Sequence, residues 1–252
     1  MPEQILDGRV AVITGASRGL GRAMALALGQ AGAKLALVAR DPDRLGEVLR
    51  EAAARGMEAV AFPFDVSRED HVSALEKAVA ERFRTVDILI NNAGVNVRKS
   101  VTELTLEEWN RVIGTNLTGA FLMCRAFVPR MLGKGYGRII NMTSMMSHVS
   151  LAGRAAYSAS KAGLLGMTRA LALELAPEGI TVVGISPGPF ATEMNAPLLN
   201  DAQVNRWFAS RIPVGHWGKA EDIGSLALYL CSDAASFLTG TDIVIDGGWT
   251  AQ

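Results

Sequence analysis

The sequence predicts an α/β fold: a doubly wound, seven-stranded parallel sheet with helices on both faces. Short apolar runs rich in β-branched residues recur along the chain, each followed by a longer stretch of helical character. The runs are continuous rather than alternating, which implies strands buried on both faces, as parallel sheets require. The chain has 252 residues, 49% of them hydrophobic, with no internal repeat, low-complexity segment or linker. That length can enclose one large core, so the expectation is one domain over 1–252.

The elements follow in order. "RVAVIT" forms the first strand, and the helix Gly19 to Ala31 leaves the glycine-rich loop after it. "KLALVA" is the second strand. Asp41 then caps a helix whose first position is Pro42, a pairing that satisfies free N–H groups and needs no proline N–H. "EAVAFPFDV" and "DILINNAG" give the third and fourth strands, separated by the helix "REDHVSALEKAVAERF". Two helices, "TLEEWNRVIGTNLTG" and "AFLMCRAFVPRML", lead to the fifth strand, "GRIINMTS". A long helix, Arg154 to Ala176, precedes the sixth strand, "ITVVGISPG", and "DIVIDGG" is the seventh. The longest irregular stretch, about 187–213, follows the sixth strand. Ligands bind beyond the carboxyl ends of such strands, so this segment is the expected substrate lid.

Lys plus Arg equal Asp plus Glu at 25 each, so no global charge draws the chain to nucleic acid or to an anionic membrane surface. Cys124 and Cys231 are too few for a disulfide framework and fall in apolar helical stretches, where reduced, buried thiols are expected. The first residues, "MPEQILDG", lack a basic region and an apolar core, and no apolar run reaches spanning length without a polar interruption. These features lead to the expectation of a soluble, cytoplasmic protein. No His, Cys, Asp and Glu cluster has ligand spacing, so no metal is expected. His71 is expected at an exposed helix start, and His148 near the pocket.

"TGASRGLG", Thr14 to Gly21, joins the first strand to the first helix, the context of a phosphate-binding turn. Gly15 permits the turn, Gly19 lets backbone approach a pyrophosphate at the helix N-terminus, and Gly21 lets helix pack on strand. The spacing T-G-x-x-x-G-x-G departs from the common G-x-G-x-x-G and resembles the short-chain dehydrogenase/reductase family. Further motifs stand in family order: "NNAG" ending the fourth strand, Asn116, Ser144, "YSASK" with Tyr157 and Lys161, "SPG" and Thr192. The resemblance covers nearly the whole chain and implies a Rossmann-type oxidoreductase of secondary alcohols and ketones, commonly a homotetramer. Small residues Ala159, Ala162, Gly163 and Gly166 on the Tyr157 helix suit close pairing of subunits or of helices within one chain.

An alcohol–ketone step moves a hydride and a proton. Tyr157 and Lys161, four apart, share one helix face. An ordinary phenol is too weak an acid to serve as base at neutral pH; an adjacent ammonium stabilises the phenolate. Lys161 is therefore expected to lower the Tyr157 pKa and, by resemblance, to bond the nicotinamide ribose. Ser144 is expected to hold the substrate oxygen. By resemblance, Asn116 holds a water behind the lysine. The resemblance also assigns Ser17, Leu20, Asp65, Val66, Asn92, Ala93, Gly94, Pro187, Gly188, Phe190 and Thr192 to the dinucleotide, with Asp65 and Val66 at the adenine and Asn92 near its ribose.

Where an Asp or Glu would accept from both ribose hydroxyls, the second strand ends in Ala39 followed by Arg40, and Arg18 reaches the same region. Guanidiniums and no carboxylate favour NADP(H), with NAD(H) the alternative; Asp41 is the residue that could reverse this by turning toward the ribose. For substrate, Arg98 stands beside the nicotinamide end, with Glu193 and Asn195 on the lid opposite and Met146 bordering the pocket. "NNAGVNVRKS", "GPFATEMN" and "DGGWTA" look similar to gluconate 5-dehydrogenases and related sugar-acid dehydrogenases. A guanidinium can bind a carboxylate bidentately, and polar lid residues suit hydroxyls. The expected substrate is a polyol acid such as gluconate. The alternatives are 3-oxoacyl-thioester or other ketone reduction and, in a different class, a nucleotide-binding redox sensor without turnover.

Overall fold

The computed structural model describes residues 4–252. The strands are β1 (Val10–Thr14), β2 (Lys34–Ala39), β3 (Ala59–Pro63), β4 (Ile88–Asn91), β5 (Gly137–Met142), β6 (Ile180–Pro187) and β7 (Asp242–Ile245). They form one sheet in the order β3-β2-β1-β4-β5-β6-β7, every pair parallel. The order reverses between β1 and β4, which opens a crevice at their carboxyl ends.

Alternate strand residues feed two cores. Ala11, Ile13, Leu35 and Leu37 pack with α1 (Gly19–Gln30), α2 (Pro42–Ala54) and α9 (Ala220–Cys231). Val10, Val12, Ala36 and Val38 pack on the other face with α3 (Glu69–Phe83), α5 (Gly119–Phe127) and α6 (Ala155–Leu175). The Asp41 carboxylate accepts from the amides of Asp43 and Arg44 at 3.1 Å, so α2 is capped as its sequence implied. Both cysteines are buried free thiols, and burial pushes each up to about 12.

Three features correct the sequence reading. The two helices expected between β4 and β5 are continuous: α4 (Leu106–Ile113) runs through a π-helical turn, Gly114–Thr118, into α5. The combined helix, Leu106–Arg130, is long and apolar enough to cross a membrane by length and composition. It nevertheless places Leu122, Met123, Cys124 and Phe127 in the core. The stretch after β6 is not irregular: α7 (Ala196–Asn200) and α8 (Ala202–Ser210) form within it, the latter capped by Asp201. And α9, which the strand–helix reading did not delimit, packs on α1, with Gly224 against the Ala23 carbonyl.

Candidate active site

The crevice is a cleft of about 830 Å³ above the carboxyl ends of β1, β4, β5 and β6. Its floor is built from glycine. Gly15 has φ +65°, and a Cβ there would stand 2.7 Å from Asn92 Nδ2. A Cβ on Gly21 would run into the Gly15 carbonyl and Asn92. Asn92 locks the turn by donating its amide to the carbonyls of Thr14 (2.9 Å) and Gly15 (3.2 Å). Thr14 Oγ1 in return accepts from the amides of Asn92 and Ala93. Thus the turn after β1 and "NNAG" after β4 are one braced unit, and the N-terminus of α1 opens onto the cleft. This cradle, which side chains would fill, fits a pyrophosphate.

Gly15, Ser17, Arg18, Gly19, Leu20, Arg40, Asp65, Val66, Asn92, Ala93, Gly94, Ser144, Tyr157, Lys161, Pro187, Gly188, Phe190, Thr192, Glu193 and Asn195 all line the cleft. Gly21 lies behind the turn. Asn116 and Met146 lie outside the lining, and so does Arg98.

At the end of the cleft beside β2, Arg40 stands 4.0 Å from Asp65, and Arg44, unforeseen in the sequence, pairs with Asp41 at 3.4 Å. Asp41 is thereby committed to capping α2 and to Arg44. Glu193, expected at the substrate, instead faces Arg18 (3.5 Å) and Arg44 (3.8 Å) across this end of the cleft. A carboxylate on this segment is drawn to the nearest cations, and these are Arg18 and Arg44. His71 is half-buried rather than exposed and accepts from the Asp65 amide.

At the other end, Ser144 closes β5 and caps a short 3-10 turn, its Oγ accepting from the Met146 amide at 3.1 Å. Its carbonyl accepts from the Ser186 hydroxyl, and Thr143, Ser186 and His148 converge on the buried Asp242 carboxylate, which braces the ends of β5 and β6. Met146 is a packing residue, buried with Phe208, Ile212 and Trp249, which corrects its expected place at the substrate.

Tyr157 and Lys161 project from α6. Burial pushes the Tyr157 phenol up, and the Ser144 hydroxyl, Arg154 and Arg98 pull it partway back. Lys161 Nζ donates to the Met142 carbonyl at 2.5 Å and lies 5.7 Å from the Tyr157 ring centre. Burial lowers the lysine to about 8. Lys161 thus stands beside the Tyr157 ring with its charge directed to the Met142 carbonyl, and Arg154 and Arg98 are further cations that pull on the phenol. Asn116 sits in the π turn with its amide fully spent, accepting from Val95 N (2.8 Å) and donating to Val95 O and Ser160 Oγ (3.0 Å each). Its side chain clamps the β4 loop to α6.

Arg98 reaches the lid, with Nη2 3.2 Å from Asn195 Oδ1 and 3.4 Å from the Met194 carbonyl. Arg154, which sequence reasoning passed over, is 7% exposed at the N-cap of α6. Its place three residues before the tyrosine, at the first turn of the same helix, was the signal available.

The fold and this site define a short-chain dehydrogenase/reductase, and the chain belongs to that family: the family model described as enoyl-(acyl carrier protein) reductase matches residues 15–250. It is an oxidoreductase acting on CH–OH groups. The chain is 34% identical to gluconate 5-dehydrogenase of Gluconobacter oxydans (strain 621H), covering 98% of this chain and 96% of the relative. It is 39% identical to 3-oxoacyl-[acyl-carrier-protein] reductase of Synechocystis sp. (strain PCC 6803), covering 96% and 97%. A crystal structure of gluconate 5-dehydrogenase from Burkholderia cenocepacia J2315, in complex with NADP and tartrate, superposes with TM-score 0.94 at 33% identity over 99% of this chain and 98% of that one.

Proposed function

We propose that the chain interconverts a polyol acid, of which gluconate is the model, and its keto acid with NADP(H). The observation that carries the substrate is Arg98. It stands close enough to Tyr157 to act on its charge, is held by a lid amide, and has no carboxylate partner among the described residues. The tartrate complex of the Burkholderia enzyme, a hydroxy acid in a related fold, supports it. Arg18, Arg40 and Arg44, with Ala39 in place of an acidic residue and Asp41 tied to its helix, support a 2′-phosphate.

Bound in the cleft, the dinucleotide supplies or accepts the hydride. Tyr157 takes the alcohol proton as phenolate, or gives it to the ketone oxygen as phenol. Ser144 orients that oxygen by hydrogen bonding, and Lys161 holds positive charge beneath both. The whole chain works as one domain with 187–213 as its lid. Exposed apolar side chains on α5, α6 and around β7, among them Phe121, Leu173, Phe237 and Val244, support assembly into a homotetramer; light scattering tests this.

A second reading, reduction of a 3-oxoacyl thioester, is favoured by an apolar hollow of about 530 Å³ lined by Leu151, Val204, Trp207 and Phe208. Steady-state kinetics decides. Gluconate oxidation with NADP⁺ at a kcat/KM above that with NAD⁺ supports the proposal, and Arg98→Ala then raises KM for gluconate about tenfold or more. Absent gluconate turnover beside rapid acetoacetyl-thioester reduction rejects it.

A further inference from the structure

Arg154 is a buried cation that the chemistry above leaves unused. Its side chain is 7% exposed, and Nη1 is buried with no hydrogen-bond partner. Leaving a charged donor buried and unpaired is costly, and folded proteins keep such groups where something else completes them. No carboxylate pairs with Arg154 or with Arg98 among the described residues. The two are also neighbours by construction. The Lys99 amide donates to the Gly153 carbonyl at 3.2 Å, so the loop bearing Arg98 is stitched to the loop bearing Arg154. Arg154 then enters the first turn of α6, three residues before Tyr157. Burial and, to a lesser degree, Arg98 push Arg154 down to about 10, and both cations favour the Tyr157 phenolate.

Arg154 is buried and Arg98 exposed, both act on the Tyr157 hydroxyl, and neither meets a carboxylate among the described residues, so an anion from outside is the partner that would complete them. We propose that Arg98 and Arg154 together form a two-guanidinium site that grips the substrate carboxylate, so that Arg154 is a specificity-determining residue for organic acids. This deepens the polyol-acid reading and rests on it for the substrate, although the anion site can be measured without it. Arg98 approaches from the β4 loop and is steadied by Asn195. Arg154 approaches from the start of α6 and forms one wall of the apolar hollow under α8. A carboxylate between them would complete the orphaned guanidinium and offset the mutual repulsion of the pair. A neutral ketone would do neither, and the penalty would appear as selection against it.

The test uses the NADP⁺-loaded protein and malonate as the anion probe, followed by tryptophan fluorescence, alongside kinetics with gluconate and with a neutral ketone. Wild type should bind malonate and be inhibited by it competitively with the organic acid. Arg154→Gln should weaken malonate about tenfold or more, and should cut the ratio of kcat/KM for acid over neutral ketone by a similar factor. Arg154→Lys, which keeps the charge and loses the fork, should fall between. If Arg154 only supports the fold, both substrates lose equally and the ratio stays put; that result, or unchanged malonate affinity in Arg154→Gln, overturns the inference. The two readings fail separately. Malonate binding that depends on Arg154, without gluconate turnover, upholds the anion site and removes the polyol acid. Brisk gluconate turnover with a ratio indifferent to Arg154 does the reverse.

Discussion

The two ends of the sheet treat buried charge in opposite ways. At the amino ends of the strands, the prominent cations face carboxylates. Asp87 pairs with Lys134 at 3.2 Å and Arg9 at 3.9 Å while accepting from the Val10 amide. Tyr136 is sandwiched between the guanidiniums of Arg9, 3.6 Å from its ring centre, and Arg138, 4.2 Å away. Arg138, 3% exposed, reaches the carbonyls of Gly137 and Ser232 and stands 3.7 Å from the Asp233 carboxylate, although its Nε is buried without a hydrogen bond among the described residues. At the carboxyl ends, Lys161 and Arg154 are buried nearly as deeply and have no carboxylate among the described residues. One end is neutralised from within and holds the fold. At the other, exposed arginines are paired while the two buried cations are not, and the proposed function gives them ligands as partners. Burial alone does not separate a structural charge from a functional one; the presence of an internal counter-ion does.

The contrast can be broken from either side. The largest effect expected is at the carboxyl end: Tyr157→Phe should lower kcat by ~10²–10⁴ while NADP(H) still binds by fluorescence titration, because only the transferable proton is lost. Turnover above about a hundredth of wild type would remove Tyr157 from the reaction.

Next comes Lys161. Its pKa is lowered by burial to about 8 from 10.5. Between those values the unfolded chain holds more protons, so stability should rise with pH across this window, and at pH 7 the buried ammonium costs the fold on the order of 3 kcal/mol. Lys161→Met should flatten the pH dependence of Tm between pH 8 and 10 and raise Tm at pH 7, while activity and cofactor affinity both fall. An unchanged Tm profile would show that the lysine is not desolvated.

A smaller effect of the opposite kind is expected at the amino end. Asp87→Asn leaves Lys134 and Arg9 without their counter-charge and should cost about 1–3 kcal/mol, read as a fall of several degrees in Tm. The kcat of the folded enzyme should stay within about twofold. A large kcat loss at full stability would blur the division between the two ends. The smallest effect should come from Arg44→Ala, which removes one exposed cation of the three proposed to meet the 2′-phosphate. It should raise KM for NADP(H) a few-fold and leave NAD(H) nearly untouched.

How much of this could be read from the chain differs by level. The strands were legible because runs such as "AVIT" and "LALV" combine β-branching with burial on both faces, and the glycine turn because φ and close approach leave no other residue for Gly15 and Gly21. Asp41 as a cap was legible because capping is a local matter of a few backbone amides. What escaped depends on distant partners. The ion pairs of Glu193 escaped because its cations, Arg18 at the N-cap of α1 and Arg44 in α2, lie far away in sequence. Arg154 escaped because a charged residue at a helix start reads as solvated surface, and only the folded chain shows its guanidinium buried and alone. The helix break expected near Gly119 failed because the π turn keeps hydrogen bonding through a stretch whose apolar spacing changes.

That π turn works as a clutch between two gears. A regular helix advances about 100° per residue, so its two ends must agree on one set of faces. The wide turn at Gly114–Thr118 takes up extra chain per revolution. The segment before it therefore keeps its own facing, with Val112 packed beside Val97 and Ala156 near the reacting centre. The segment after it turns Leu122, Met123 and Phe127 into the sheet. Asn116 sits on the clutch plate itself, tied to the β4 loop on one side and to Ser160 of α6 on the other. Chemistry and core can thus be served by one continuous helix, each at its own angle.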